Sequence, residues 1–124
     1  MKSAKSMSCS VVSVLLLLGI FQTAGAGPIK FARYPNVSGD KIAFCYHGDI
    51  WVAETGGNNP VRLTDHVAMD VFPRFSPDGR WIAFSSDRMG NMDLWVVPVT
   101  GGEPLQITHH TANDIMLYWT PDGK

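Results

Sequence analysis

The fold of this chain can be predicted from one stretch of its sequence, Phe75-Ser76-Pro77-Asp78-Gly79-Arg80-Trp81-Ile82-Ala83-Phe84-Ser85-Ser86-Asp87. Its centre predicts a tight turn, because Pro77 fixes φ at the first central position and Gly79 tolerates the left-handed conformation that closes such a turn. Residues 81–86 are aromatic and apolar and end in polar side chains, which is typical of a half-buried strand. The stretch therefore predicts a β-hairpin.

The same pattern returns 44 residues later in the chain. Thr120-Pro121-Asp122-Gly123-Lys124 repeats Ser76-Pro77-Asp78-Gly79-Arg80, and Asp93-Leu94-Trp95-Val96 follows Asp49-Ile50-Trp51-Val52 at the same spacing. Only the first hairpins differ in length, by two residues around 38–41 and by four around 45–48. Both differences are even, so the alternation of buried and exposed side chains is preserved along the strands.

A repeat of this length with four short strand signals per unit is typical of a β-propeller blade. In the complete unit we predict strands at 71–75, 81–86, 93–99 and 105–108. The fold class is therefore predicted to be all-β, a β-propeller fragment of about two four-stranded antiparallel blades plus the first strand of a third. Blade 1 is predicted at about 31–66, blade 2 at about 70–110 and the start of blade 3 at about 114–124, with its strand near 116–119.

Residues 1–26 have the composition of a secretory signal peptide. Lys2 and Lys5 form a basic start, residues 11–21 form an apolar run, and Ala24-Gly25-Ala26 supplies a small-residue cleavage pattern. The apolar run is shorter than the about 20 residues that span a bilayer. We expect cleavage after Ala26, an exported, periplasmic or extracellular domain over 27–124, and no membrane attachment after cleavage. An uncleaved membrane anchor is the alternative.

Charge and cysteine content exclude several classes of function. Without Lys2 and Lys5, eight basic residues stand against eleven acidic ones, a formal charge of −3. Because no basic stripe is present, nucleic acid is not expected as a partner. Cys45 is the only cysteine of residues 27–124, so no internal disulfide is expected. Its place in a strand predicts a buried, inert thiol.

The four histidines do not form a recognisable metal motif. Neither an HExxH helix nor a Cys/His ligand set is present, so we predict no metal ligand and no cofactor. His66 and His110 are equivalent positions of the repeat, and their recurrence is therefore not independent evidence for a site. Asn36-Val37-Ser38 matches a glycosylation sequon. We interpret the match as a chance overlap at a strand end.

The acidic and aromatic residues also recur with the repeat. Asp49 with Asp93 and Asp70 with Asp114 lie 44 residues apart. Repeated acids beside strand ends are typical of groups that accept backbone N–H bonds in turns. We interpret Trp51 and its equivalent Trp95 as inter-blade packing rather than as a ligand platform. No G-x-S-x-G elbow is present, and we predict no catalytic, cofactor-binding or metal-binding residue in this chain.

The repeats resemble the propeller repeats of TolB-like periplasmic proteins and tricorn-like proteases. The resemblance is carried by residues 75–88, 90–91, 93–96 and 101–108. The wider sequence is more similar to the tricorn-like group, whose first, second and third blades resemble residues 42–53, 70–79 and 119–123. TolB-like proteins place an α/β domain between the signal and the propeller, whereas here the blades begin almost directly after the expected cleavage point.

The tricorn-like resemblance implies an exported serine peptidase. Its N-terminal propellers would screen or channel peptides toward a C-terminal core that holds a PDZ-like module and the catalytic serine. No residue of that core falls within this chain, so the chain itself is expected to be inactive. The expected partners are peptides or proteins and the remaining blades and catalytic core of a longer polypeptide. The TolB-like resemblance leaves an alternative of another class, an envelope propeller module that binds proteins.

Incomplete closure has a consequence for the apolar faces of the blades. Two blades and one strand do not close a propeller of about 4–8 blades, and a repeat unit buries its faces only against its neighbours. We therefore expect marginal stability, self-association, and partial exposure of six large side chains, namely Ile42, Phe44, Trp51, Ile82, Phe84 and Trp95.

Overall fold

The computed structural model describes residues 31–124. The signal peptide expected at 1–26 lies outside these described residues. The described part consists of strands, turns and extended segments, and it contains no helix long and apolar enough to cross a membrane. Within residues 31–124, eight strands follow one another: β1 (Arg33–Ser38), β2 (Lys41–Tyr46), β3 (Asp49–Glu54), β4 (Val61–Arg62), β5 (Asp70–Phe75), β6 (Trp81–Ser86), β7 (Asp93–Pro98) and β8 (Leu105–Gln106). The all-β prediction is confirmed.

The strands form two four-stranded antiparallel sheets in the order β1-β2-β3-β4 and β5-β6-β7-β8. Each sheet is one blade of the repeat. Trp51 lies opposite Phe44 in the first sheet, and Trp95 lies opposite Phe84 in the second. The predicted equivalence of the two tryptophans is therefore confirmed by the strand register.

The hairpins differ between the blades where the sequence lengths differ. In blade 1, His47 and Gly48 close the β2–β3 hairpin, and both have positive φ, 52° and 85°. Two consecutive left-handed residues are the geometry of a type I′ turn, which suits the twist of the flanking strands. In blade 2 the corresponding β6–β7 connection runs over residues 87–92 and includes Arg88.

The core lies between the two sheets, and the two faces that meet there carry side chains of different size. Blade 1 contributes small and medium side chains, among them Ala43, Ile50 and Val52, and blade 2 contributes Ile82, Phe84, Val97 and Trp95. Ile82 and Phe84 are fully buried because their face of β6 packs against blade 1. The expected partial exposure is therefore wrong for these two residues and for Phe44, which is also buried, whereas Ile42, Trp51 and Trp95 are half-buried.

The two sheets approach each other most closely at β1 and β5. β5 contacts β1, β2 and β3, whereas the outer strands β4 and β8 contact the strand beside them in their own sheet. The Phe75 backbone N–H donates a hydrogen bond to Asn36 Oδ1 at 2.8 Å, and the rings of Tyr34 and Phe72 lie 4.3 Å apart. Sheets that converge along their first strands are arranged as neighbouring blades of a propeller, with β1 and β5 on the axis side.

The segment 113–119 lies along blade 2 where the first strand of a third blade is expected. The backbone N–H of Met116 donates to Ser85 Oγ at 2.7 Å, and Trp119 Nε1 donates to the Arg74 carbonyl at 2.9 Å. The segment is not a β-strand in the structure, in contrast to the sequence prediction at 116–119. A strand is defined by a ladder with a neighbour, and this segment pairs with no strand among the described residues.

Candidate functional site

The repeated aspartates Asp49 and Asp93 fix the outer strands of their blades. The Asp49 carboxylate accepts hydrogen bonds from Arg62 at 2.7 and 3.1 Å and from the His66 backbone N–H at 3.4 Å. Asp93 accepts from Gln106 Nε2 at 3.1 Å. The partners lie on β4 and β8 or just after them, so both acids hold the last strand in place rather than forming a catalytic pair.

Asp70 and Arg88 form a buried ion pair in blade 2. The Arg88 Nη2 atom lies 2.6 Å from Asp70 Oδ2, and the two side chains are 11% and 0% exposed. Arg88 also donates to Ser86 Oγ at 3.1 Å, and its guanidinium stacks over the rings of Phe84 and Trp95 at 5.6 and 5.0 Å. Such a pair requires good geometry, because both charges have lost their water. No pattern in the sequence indicates this role of Arg88.

The acidic residue of the repeated Ser/Thr-Pro-Asp-Gly turn builds the turn itself. Asp78 Oδ1 accepts hydrogen bonds from the Ser76 hydroxyl at 2.6 Å and from the Arg80 backbone N–H at 3.0 Å. These bonds, that of Ser76 first, lower the pKa of Asp78 to about 2. The pKa of Asp122 is lowered in the same way, mainly by the Thr120 hydroxyl. A carboxylate held ionised by its own turn is unsuited to general acid catalysis near neutral pH.

The sulfur and nitrogen ligands of the described residues do not converge on a metal site. Cys45 is buried, its thiol donates to the Asp70 carbonyl at 3.1 Å, and burial raises the pKa of the thiol. His66 Nδ1 accepts from the Ala68 backbone N–H at 3.0 Å. Over residues 31–124 the structure contains no group of three or more His, Cys, Asp or Glu side chains placed to hold a metal ion.

Asn36, which heads the sequon match, holds the two blades together. Its side-chain oxygen is the acceptor for the Phe75 backbone N–H in the neighbouring sheet. The side chain is half-buried between the blades. The structure thus assigns Asn36 a packing role, in agreement with the interpretation of the sequon as a chance overlap.

Several concave surfaces lie beside the packed core, among them the following two. The first, called here the inter-blade pocket, has a volume of about 230 Å³ and is lined by residues from the start of β1, the β2–β3 turn and the start of β5, including Phe31, Arg33, Tyr34, His47 and Met69. The second is a more open space of about 620 Å³ on the outward face of blade 2, bordered by Trp81, Val96 and Trp119 among others. The first has walls from both blades, whereas the second lies where a third blade would pack.

The family model of the tricorn protease N-terminal β-propeller domain matches residues 29–124. The chain belongs to this family. The match extends over all described residues, and the resemblance drawn from the repeats is thereby confirmed. A tricorn protease homolog 2 from Streptomyces coelicolor is 41% identical over 63 residues, which are 50% of this chain and 5% of that relative.

Two solved structures of different propeller proteins are similar in fold to this tricorn-family segment. A structure described as TolB from Agrobacterium tumefaciens superposes with a TM-score of 0.69 and 30% identity, over 75% of this chain and 36% of that chain. The crystal structure of the tricorn protease superposes with a TM-score of 0.64 and 24% identity, over 74% and 10% of the two chains, and shares the fold. This chain therefore spans a small part of the proteins it matches.

The polar side chains of this tricorn-family segment are used to hold strands and blades together. Over residues 31–124 no serine hydroxyl is hydrogen-bonded to a histidine, in contrast to the pairing that activates a serine nucleophile. The surfaces that remain are concave and partly apolar. Such surfaces are suited to binding.

Proposed function

We propose that this chain is the N-terminal propeller segment of an exported tricorn-like serine peptidase, and that the propeller screens or channels peptides toward a C-terminal catalytic core. Residues 1–26 would be the signal peptide and residues 27–124 an incomplete propeller. The partners would be peptides or proteins and, within the same polypeptide, the remaining blades and the core. Peptidase activity belongs in this proposal to the complete protein.

One observation carries the proposal. The tricorn-type propeller model begins to match at residue 29, directly after the expected cleavage point at Ala26. A TolB-like arrangement would place an α/β domain at that position. The order of a signal followed at once by blades therefore favours the tricorn-like protein over the TolB-like one.

The proposal is tested with the product of the complete gene, read through the codon of Lys124, and with residues 27–124 alone. Both are incubated with unstructured fluorogenic peptides, with and without a serine-directed inhibitor. We expect inhibitor-sensitive hydrolysis by the complete product and none by residues 27–124. Hydrolysis by the short segment would show that the segment itself contains a catalytic site.

A TolB-like interaction module is the second candidate, and the structural match of 30% identity favours it. This module would bind an envelope protein and would have no peptidase activity. A verified complete product that leaves every peptide uncleaved in the presence of an active control protease would support this candidate.

A further inference from the structure

The inter-blade pocket lies beside the short second hairpin of blade 1. In blade 2, the longer 87–92 connection brings Arg88 back into the space beside Asp70 and Phe84. In blade 1 the same connection is the two-residue turn His47-Gly48, and the His47 ring packs edge-on against the Tyr46 ring at 4.3 Å. The pocket is bordered by this turn and by the start of β5, so both blades line it.

Large apolar side chains surround the mouth of this pocket. Phe31 is 69% and Met69 is 55% exposed, and Tyr34 is also exposed. Exposed apolar side chains gathered around a concavity mark binding surfaces more often than isolated ones do. The three residues come from both blades, so the rim is completed by the packing of β5 against β1.

The backbone is strained where the rim crosses from one blade to the other. Tyr34 and Phe72 have φ values of 54° and 57°, and each lies at an irregularity in the pairing of the first strand of its blade. Bulky side chains rarely adopt this left-handed conformation, which persists only where the surroundings enforce it. The irregularities place the Tyr34 and Phe72 rings 4.3 Å apart. The contact with Phe72 therefore holds in place the Tyr34 ring, which lines the pocket.

The electrostatics of the lining indicate the charge of a ligand. The lining contains the Arg33 guanidinium and the His47 imidazole and no carboxylate. Of the nearby carboxylates, Asp49 and Asp70 are paired with Arg62 and Arg88, and the exposed Asp87 carboxylate accepts a hydrogen bond from the Met69 backbone N–H at 2.8 Å. A ligand with an acidic group beside an apolar one would complement this surface, because guanidinium and carboxylate form strong charge-assisted hydrogen bonds.

We propose that the inter-blade pocket binds one large apolar side chain of an extended peptide that carries acidic residues next to it. The volume of about 230 Å³ is smaller than the about 300–1,000 Å³ of pockets for whole drug-sized molecules, and it suits a single side chain. The pocket lies at one end of the axis-side strands, where a peptide entering between the blades would meet it. This inference deepens the proposed function by naming the peptide class that the propeller selects.

The test uses the protein expressed from its complete gene and three labelled Gly/Ser peptides, observed by fluorescence anisotropy. The peptides carry at their centre Phe followed by two Asp, Ala followed by two Asp, or Phe followed by two Lys. We expect the first to bind tightest. Replacing Phe by Ala should weaken binding about tenfold to a hundredfold, because burial of a large apolar side chain is lost. Replacing Asp by Lys should weaken it about two- to fivefold.

Matched variants locate the site on the protein. Phe31→Ser should weaken binding of the Phe-Asp peptide about tenfold, whereas Met89→Ser, at a side chain that is 65% exposed and does not line the pocket, should leave it unchanged. Arg33→Gln should remove the preference for Asp over Lys, and Arg80→Gln at a distant exposed arginine should retain it. Circular dichroism checks that each variant is folded, and Arg33→Gln, at an exposed position, tests the charge preference even if Phe31→Ser unfolds.

Each result supports or overturns the inference independently of peptidase activity. Binding that distinguishes the three peptides and responds to Phe31→Ser and Arg33→Gln, but not to their controls, supports it even if no peptide is cleaved. Equal affinity for the Phe and Ala peptides, or equal effects of Phe31→Ser and Met89→Ser, overturns it even if the protein is an active peptidase.

Discussion

Asp70 is fully buried, and its carboxylate is stabilised by a single long side chain from the next hairpin. Substituting Arg88 by methionine would leave this charge unpaired in the protein interior. Breaking a buried pair in this way costs about 3–5 kcal/mol. We therefore expect Arg88→Met to lower the free energy of unfolding by about that amount in urea titrations.

The control for this substitution is Arg80→Met. Arg80 is 78% exposed and is paired with a half-exposed Asp78, and exposed pairs contribute about 0–1 kcal/mol. The double substitution Asp70→Leu with Arg88→Met should recover much of the lost stability, because it removes the unpaired charge. Equal losses for Arg88→Met and Arg80→Met would contradict the role assigned to the buried pair.

Individual residues show the limit of prediction from sequence. Cys45 follows the prediction because a cysteine within an apolar strand has few alternatives to burial. The Asp70–Arg88 pair joins residues 18 positions apart through the path of a loop, and no local pattern encodes it. The positive φ values of Tyr34 and Phe72 could not be predicted from the sequence either, because neither residue type prefers that conformation.

At the level of strands and turns, alternation and turn chemistry were sufficient for most boundaries. β6 is found at the predicted 81–86, and β7 at Asp93–Pro98 ends one residue before the predicted 99. The outer strand is shorter than predicted, Leu105–Gln106 instead of 105–108, because the edge of a sheet has a neighbour on one side only. Segment 114–119 has strand-like sequence but no ladder partner among residues 31–124.

The Pro77-Asp78-Gly79 turn makes the stability of the β5–β6 hairpin depend on pH. The pKa of Asp78 is lowered from 3.8 to about 2 by its hydrogen bonds with Ser76 and Arg80. A carboxyl with a depressed folded-state pKa contributes stability above its unfolded pKa and loses that contribution as the pH falls through the folded pKa. This contribution is therefore present at pH 7 and is lost between about pH 4 and pH 2.

We expect Asp78→Asn to have a lower urea midpoint than the unmodified protein at pH 7 and a similar one near pH 2. Glu103→Gln, which removes one negative charge from an exposed loop position, is the control and should show little change in the difference between the two pH values. A difference between Asp78→Asn and the unmodified protein that stays constant from pH 7 to pH 2 would show that the carboxylate hydrogen bonds do not stabilise the turn.

For the whole molecule, the proposed export makes a prediction about the mature N-terminus. The basic start, the short apolar run and Ala24-Gly25-Ala26 together predict cleavage after Ala26. Mass spectrometry of the protein recovered from the periplasm or medium should find Gly27 as its first residue. Recovery of intact residues 1–26 in the membrane fraction would favour the uncleaved anchor instead.

The overall fold could be predicted because the repeat is visible in the sequence. The packing of the blades against each other could not be predicted. The repeat predicts that Trp51 and Trp95 are equivalent, and their strand register agrees. It does not show that the indole N–H groups of both are buried without a hydrogen-bond partner among the described residues. Both tryptophans therefore contribute to packing through the size of their rings. Each buried N–H without a hydrogen-bond partner lowers the stability of the fold somewhat.

Because the two faces of each blade carry different side chains, the two ends of the segment differ from each other. The interface within this segment joins a face of small side chains around Ala43 and Val52 to a face with aromatic Phe84 and Trp95. By the repeat, the outward faces are again one of each kind, with Trp51 on one end of the segment and Ala83 on the other. Head-to-tail contacts of this kind close into a ring or continue as an open helical chain. Copies of residues 27–124 would therefore associate head to tail, in closed rings or in filaments that lengthen with concentration, and not in symmetric dimers.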